Sequence, residues 1–578
     1  MSRSAVSANL RSRSRRAAGQ EAFRQLTGIQ SDEQIISSSD SEEDDYMSDS
    51  DDEQDTPAEV PIDWTIVEPG HDTRFHEVPD FLGATGLNPQ INVPSEIEDN
   101  LSFFLDLFFP ETTFETLTKW TNTRMWCFYV QECDEESLQN SKLFIENNEM
   151  KKFFGMVFLM AINKKPEINH YWSQNSLYQQ DIFACRESLS RDRFKHILKF
   201  IRFADYDNLN ENDSISKVRP FLEIVQNLCK GVYTPQREIC VDESLMLYKG
   251  RLGLRQYIPN KRNRYGIKTY VACESESGYT FNILSHQFRA ELNDVVNHVP
   301  GAENLLQSEK IVIYLIDFLL NQGFHVFIDN YYTSCQLAKF LLQNGTMCTG
   351  TIRKGRGVPT LLSRLEVPVK QFRCARQEDV LLVKFVDRKA SGKKEIYLLD
   401  TSSVAEGEDH RRIVRGGHED TVHRPTVIKK YNTNMGGVDQ KDASIKPYDA
   451  TRKSYKWCVK YGIHLFQILH HNAWVIYRKC GGNKAYLPFI EATIDLWILK
   501  TGDGRSRRSA SRGQICIGLP DHRLERLPPK ENQRHPAKRC RICTRDKKRK
   551  ETVFVCVGCP GQPGLCVGQC FKRYHEKS

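Results

Sequence analysis

Hydrophobic and polar positions change period several times along the chain. Between residues 95 and 235 the apolar positions recur at the three-to-four-residue spacing of amphipathic helices. Pro110 opens a helix carrying Phe114, Leu117 and Trp120, because proline fits the first helical position, where its missing N–H is not needed. Ser190 is placed to cap SRDRFKHILKFIRF, in which Phe194, Ile197, Leu198 and Ile201 form one stripe. FFGMVFLMAI at 153–162 is the longest apolar run and has the length of a core helix. From 237 to 352 the period becomes two. ICVDESLML, YGIKTYVACES and YTFNILSH read as successive strands, with Gly278 at the turn between the last two. A helix over 310–320, a strand HVFID, a helix over 334–343 and a strand MCTGTIR follow, which predicts an α/β layer with a mixed sheet. Residues 355–423 are polar and irregular, with short strands such as VLLVKFVD and EIYLLD, and read as an insertion. YKWCVKYGIHLFQILHHNAWVIYRK then returns to helix with a continuous apolar face.

At 578 residues the chain exceeds one ordinary core, so several domains are expected. It has no run of 18 apolar residues and no apolar stretch at its start, so neither a transmembrane helix nor secretion is expected. The net charge of +7 is uneven: residues 501–578 hold 19 Lys and Arg against 7 Asp and Glu, so the remainder is net acidic. A basic tail on a near-neutral body points to an acidic partner, of which nucleic acid is the commonest. At the other end, a basic arm with Arg3, Arg11, Arg13, Arg15 and Arg16 precedes nine Asp and Glu within 40–53. Such a block repels itself and reads as a solvated tail, or as a phosphorylatable segment that competes with DNA for basic surfaces.

Asp242 is a carboxylate set inside an apolar strand, which is costly unless something pairs with it. Asp329 ends a later apolar strand, and Asp439 and Asp442 lie three apart in NMGGVDQKD, on one helix face. Carboxylates gathered from these segments would hold two Mg²⁺ or Mn²⁺ ions for phosphoryl transfer. Taken singly, Asp329 also suits a turn and Asp439 a helix N-cap. Gly436 and Gly437 are expected to let the backbone turn tightly before the helix. Lys249, Arg251, Arg255, Lys261, Arg262, Arg264 and Lys268 follow the Asp242 strand in a basic run with two tyrosines. That run, with Arg353, would position a polyanion across the acids, or would form a solvated loop. A second basic run, Lys446, Arg452, Lys453, Lys456 and Lys460, follows Asp442.

The tail carries Cys540, Cys543, Cys556, Cys559, Cys566, Cys570 and His575, with His535 as a further candidate ligand. Paired CxxC knuckles match tetrahedral Zn²⁺, and two interleaved sites would staple a segment too short to build its own core. Disulfides are the competing reading. The other twelve cysteines are scattered, which fits a reducing cytosol or nucleus. KKRK at 547–550 suits nuclear import or phosphate binding.

Together VDESLMLYKGR (241–251), QYIPNKRNRYGIK (256–268), VFIDNYYTS (326–334), GTIR (350–353) and NMGGVDQKD (434–442) resemble the piggyBac transposase family, including its domesticated vertebrate members. SRDRF at 190–194 and LCVGQCFKRYH at 565–575 fit the same pattern, and the resemblance covers roughly 95–578. It implies an α/β chain with an RNase H-like core at 237–354 and 424–442, carrying Asp242, Asp329 and Asp439 as a catalytic triad and Asp442 as an accessory acid. It also implies a split all-α dimerisation and DNA-binding domain at 95–236 and 443–500, an insertion domain at 355–423, a basic linker at 501–534 and a cysteine-rich zinc domain at 535–578. Residues 1–94 are the expected disordered, acidic N-terminal region. The implied activity is cut-and-paste transposition of double-stranded DNA at TTAA targets by a nuclear homodimer, away from membranes. The competing reading is a domesticated, non-catalytic DNA-binding protein that kept the fold.

Overall fold

The computed structural model describes residues 64–72, 78–130, 143–499, 524–527 and 536–574, except 176, 186, 251, 253–254, 258–264, 287–291, 293–295, 390–391, 414–418, 453, 455, 547, 558, 560, 568–569 and 571–572. They fall into two compact units, 1–166 with 189–502 and 167–188 with 503–578. Among the described residues no helix is long and apolar enough to cross a membrane.

In the first unit a short strand β1 (Thr65–Val67) precedes five helices: α1 (Leu101–Phe108), α2 (Glu111–Tyr129), α3 (Asn147–Ile162), α4 (Arg191–Phe200) and α5 (Arg219–Val232). Pro110 stands at the N-cap of α2, and the Ser190 hydroxyl accepts the Arg193 N–H at the start of α4. Every residue of α3 from Phe153 to Ala161 is buried, as its apolar run requires. Two of the four Lys and Arg of α4 are engaged by the fold, while Arg191 and Lys195 are exposed. Arg193 donates to both oxygens of Glu149 at 2.7 Å, and Lys199 lies over the Phe128 ring.

The sheet strands follow: β2 (Glu238–Leu247), β3 (Arg255–Tyr257), β4 (Tyr265–Glu274), β5 (Thr280–Ser285), then α6 (Gln307–Ile316), β6 (His325–Ile328), α7 (Cys335–Gln343) and β7 (Met347–Thr351). β4 runs antiparallel to both β2 and β5, whereas β2, β6 and β7 are parallel neighbours. Among these strands the spatial order is β5-β4-β2-β6-β7, so β2, the earliest of the five in sequence, lies between the other four. β5 and β6 are buried along their whole length, which removes the in–out alternation of a half-exposed strand.

Within residues 355–423, the stretch 372–400 does not stand apart from this layer. β8 (Phe372–Gln377), β9 (Val380–Lys389) and β10 (Gly392–Asp400) continue it, with β10 antiparallel to β7 through Leu399 and Gly350. Beyond them a separate hairpin, β11 (Gly407–Ile413) and β12 (Glu419–Pro425), leads into α8 (Thr426–Asn434) and α9 (Gly437–Ile445). The outer strand β8 pairs with β1, and buried Arg376 forms an ion pair with Asp72. Residues 64–72 and 78–94 thus already take part in the described structure, ahead of the boundary at 94 expected from sequence. A three-residue strand is too short to show a period, and Thr65–Val67 gains its order from a partner more than 300 residues away. The acidic block at 40–53 lies outside the described residues.

α10 (Trp457–Lys479) and α11 (Tyr486–Ile494) return to the helical side. Phe466 of α10 stacks on Phe154 of α3 at 3.6 Å, with Phe109, Phe114 and Trp497 around the pair. The helices before and after the sheet therefore share one aromatic core. Asn472 of α10 accepts the Thr280 N–H at 2.9 Å and donates to the Thr280 carbonyl at 2.7 Å, which fixes that core to β5.

Candidate catalytic and metal-binding sites

In the parallel pair β2·β6, Val241 stands opposite Ile328. The next position on each strand is an aspartate, so Asp242 and Asp329 sit side by side where β6 ends. Asp329 accepts the Tyr331 N–H at 2.9 Å, the turn contact that its place before Asn330 suggests. Burial pushes the Asp329 carboxyl above its usual range, and the Glu243 charge adds to this. The Tyr331 N–H, Arg353 and Lys268 oppose it without cancelling it. An acid held in this state gains from a bound cation.

Asp439 arrives on α9, which packs along β2. Its seat is fixed at two points on the β2 face that carries Asp242. At one end Gly437 faces Cys240 so closely that an added Cβ would lie 2.8 Å from the Cys240 Sγ and 2.7 Å from the Glu274 carbonyl. At the other, the Ser244 hydroxyl meets both Asp442 oxygens at 3.0 and 2.9 Å. Cys240, Asp242 and Ser244 alternate onto one face of the strand, and α9 lies along that face. Among the described residues, however, the carboxylate oxygens of Asp242, Asp329 and Asp439 are not drawn within 4.8 Å of one another as the tail thiols are. Asp439 itself is exposed.

The close approach explains Gly437 differently from the tight turn expected of it. Neither Gly436 nor Gly437 has a positive φ, and Gly437 is helical. A side chain there would lift the helix off the strand.

Asp442 is turned to another task. The buried Lys441 ammonium lies 2.5 Å from it and 3.3 Å from the Ser244 hydroxyl. Burial alone would raise the Asp442 carboxyl, but Lys441 and Ser244 hold it below the usual range. Neither Ser244 nor Lys441 stood out in the sequence. Ser244 was legible only as the residue two past Asp242, on the same strand face.

The basic residues divide. Lys249 is exposed, and Arg255 lies at the edge strand over the Tyr265 ring. Lys268 is buried, ion-paired to Glu243 at 2.7 Å and set over the Tyr270 and Tyr331 rings. Its ammonium is committed inside the protein, which its place in a basic run did not reveal. Arg353 is exposed beside the acids and donates from Nε to the Asn330 side chain at 3.1 Å. Arg251, Lys261, Arg262 and Arg264 lie outside the described residues. In the second basic run, Arg452 donates to the Lys165 carbonyl, Lys456 to the Lys199 carbonyl, and Lys460 is buried.

In the second unit the thiols of Cys540, Cys543, Cys566 and Cys570 all lie within 4.8 Å of one another. The pairs interleave along the chain, since Cys556 and Cys559 fall between them. Burial opposes ionisation of Cys540, yet N–H and S–H donors of Cys543 and Cys566 bring it to about 7. Burial and the neighbouring thiols push Cys566 up to about 12. Four sulfurs at this spacing fit tetrahedral Zn²⁺. This is a zinc-binding cysteine cluster. The cysteines among the described residues are free thiols, against the disulfide reading. Cys556 is buried and Cys559 half-buried next to it; His535 and His575 lie outside the described residues.

Comparison with known proteins gives consistent relatives. The family described as Transposase IS4 matches residues 102–474, and a DDE_Tnp_1-like zinc finger matches 524–576. PiggyBac transposable element-derived protein 2 of Homo sapiens is 25% identical over 417 residues, covering 70% of this chain and 65% of that protein. PiggyBac transposable element-derived protein 3 of Homo sapiens is 25% identical over 566 residues, covering 92% of this chain and 88% of that protein. Among solved structures, a piggyBac transposase synaptic complex with hairpin DNA, determined by cryo-EM, matches with a TM-score of 0.61 at 21% identity. That match covers 84% of this chain and 98% of the other, and it establishes a shared mixed α/β fold.

Proposed function

Since the chain belongs to the piggyBac transposase family of IS4-like DDE proteins, we propose that it is a DNA transposase that cuts and joins strands at the site of Asp242, Asp329 and Asp439. The observation that carries this reading is the register of β2 and β6, which sets two aspartates side by side. The strand order β5-β4-β2-β6-β7, with three antiparallel strands leading into a parallel trio, supports an RNase H-like core.

The donor set is hard oxygen, two of its members come from neighbouring strands, Asp242 within β2 and Asp329 at the end of β6, and burial leaves Asp329 short of compensating charge. These features fit Mg²⁺ or Mn²⁺, held by Asp242, Asp329 and Asp439. The metals would activate water or a 3′-hydroxyl and stabilise the charge developing on the attacking and leaving oxygens. The chain's own part is to fix the three carboxylates. Strand register would serve for Asp242 and Asp329, and the Gly437 and Ser244–Asp442 contacts, which hold α9 on β2, would serve for Asp439. Asp442 then serves as a positioning acid, its oxygens taken up by Ser244 and Lys441. Arg353, at the edge of the site, is placed to meet a phosphate next to the scissile one. Double-stranded DNA with TTAA targets, action as a homodimer and a nuclear location complete the proposal, and the zinc module would read the element end.

The test is cleavage of a labelled transposon end in Mg²⁺ by the wild type and by Asp329→Asn. Cleavage by the wild type alone is expected. Equal cleavage by both would overturn the site. Specific binding without cleavage by either would mark a DNA-binding protein that kept the fold and lost the chemistry.

A further inference from the structure

Next to Asp329, between β7, β9, β10 and α8, lies an open groove of about 770 Å³. It begins at Asn330 and Arg353, which adjoin Asp329, and runs outward past Lys354, Lys393, Lys394 and Arg424. Five cations face it against two carboxylates, Asp387 and Glu395. Glu395 is already neutralised, since it accepts Lys354 at 2.9 Å, Lys384 at 3.1 Å and the Tyr397 hydroxyl at 2.9 Å. Those bonds, the one from Lys354 foremost, hold its carboxyl down at about 2. The positive charge of the remaining cations is therefore in excess.

A second observation concerns Arg424. Its Nε is buried, with no hydrogen-bond partner among the described residues. The Arg424 guanidinium, held in the wall of the groove, adds a fixed positive charge on which an anionic ligand would draw. The floor between the cations is apolar and aromatic, formed by Ile396, Tyr397, Ile428 and Tyr431. Ile428 and Tyr431 also close the buried cluster around Phe372 and Phe385, so the floor is rigid.

Cations along a rim with flat apolar side chains beneath are what an unpaired nucleic-acid strand uses, its phosphates on the rim and its bases on the floor. A volume of about 770 Å³ lies within the ~300–1,000 Å³ of pockets that enclose drug-sized groups, the scale of one or two nucleotides rather than a duplex. We propose that this groove binds unpaired nucleotides of the DNA strand continuing from the scissile phosphate, with a phosphate at Arg424 and a base over Tyr431 and Ile428. The proposal rests on the catalytic reading for the identity of the strand, but its binding chemistry can be measured without cleavage.

The experiment uses the full chain and two probes: a blunt DNA duplex, and the same duplex with a short single-stranded extension carrying 2-aminopurine. Three proteins are compared, namely the wild type, Lys393→Ala/Lys394→Ala, and Arg424→Gln. The two lysines are exposed, so the double variant folds as the wild type does. The wild type should bind the extended probe at least about tenfold more tightly than the blunt one, with a change in 2-aminopurine fluorescence. Both variants should lose most of that preference while binding the blunt duplex as before. The salt slope for the extended probe should fall by about 0.7 for each phosphate contact removed. Equal weakening on both probes, or no preference in the wild type, would overturn the groove. Selective binding of the extension by a protein that cuts nothing would keep the groove and defeat the catalytic reading. Cleavage with no groove effect would do the reverse.

Discussion

The Ser244 hydroxyl meets both carboxylate oxygens of Asp442, a residue 198 positions later in the chain. Through that contact strand β2 holds the helix that carries Asp439. The buried Lys441 ammonium completes the clamp. Removing one partner of a buried pair costs roughly 3–5 kcal/mol, and the 36% exposure of the Asp442 side chain places Lys441→Met near 2–3 kcal/mol. Ser244→Ala should cost about 1–2 kcal/mol, as a hydrogen bond to a charged acceptor does. Chemical unfolding of both variants measures this, and losses under 0.5 kcal/mol would show that the clamp bears no strain.

Gly437→Ala should act on the site more than on the fold. The new methyl would meet Cys240 and the Glu274 carbonyl well inside contact distance, and overpacking of this kind typically costs about 1–3 kcal/mol. Because the displaced element carries Asp439, strand cleavage should fall by at least about tenfold while DNA affinity is kept. Gly436→Ala, where an added Cβ meets nothing within 4 Å, is the control.

Asp329→Asn separates metal binding from folding. Its carboxyl is raised in the folded state, so the native protein binds this proton more tightly than the unfolded chain does. The ionised acid is thus destabilising at neutral pH, and stability from this group declines as pH rises through the unfolded value of about 4. Without metal, the Asn variant should melt at the wild-type temperature or slightly above it. With Mg²⁺ the wild type should gain stability by ligand linkage and the variant should gain less. Thermal melts across a Mg²⁺ titration decide it, and parallel gains would remove Asp329 from the metal site.

The tail should release zinc in a pattern set by space rather than by sequence order. Cys543→Ser and Cys566→Ser, on different knuckles, should lose the same ion, and the double variant should lose no more than either alone. Cys559→Ser should affect a separate ion if Cys556 and Cys559 form the second site. Metal analysis of the purified full chain reads this directly; finding one zinc lost per cysteine pair in sequence order would refute the interleaved assignment.

Acid should weaken the helical body early. Burial pushes His470 and His471 of α10 down to about 3. Below about pH 6.5 the unfolded chain takes up protons that the native helix refuses, so stability falls as pH drops from there towards 3. The slope is about 1.4 kcal/mol per pH unit for each histidine. Unfolding at pH 7, 6 and 5 should show it, and His470→Gln should flatten the slope by about one proton.

Much of this arrangement was legible in the residues. Asp242 and Asp329 stood out because each interrupts or ends an apolar strand, and parallel neighbours bring such positions together. The Ser190 cap, the long helix over 457–479 and the cysteine knuckles follow from local chemistry alone. Lys268 was not legible, because a basic run looks the same whether its last member faces solvent or a buried Glu243. Gly437 reads as a turn residue in sequence, because close approach to a strand leaves no mark there. The continuation of the sheet through residues 372–400 was hidden for a similar reason, since strand partners are chosen by geometry and not by neighbouring residues.

The pairing of Thr65–Val67 with Cys374–Arg376 has a consequence for the making of the protein. Chains grow at roughly 5–20 residues per second, so Thr65 waits about 15–60 s for the strand that will receive it. Through that interval the outer rim of the sheet does not exist, and the strands already made present open hydrogen-bonding edges to any neighbour. Slow or crowded translation should therefore be the condition under which this chain is lost to aggregates, well before any property of the finished fold comes into play.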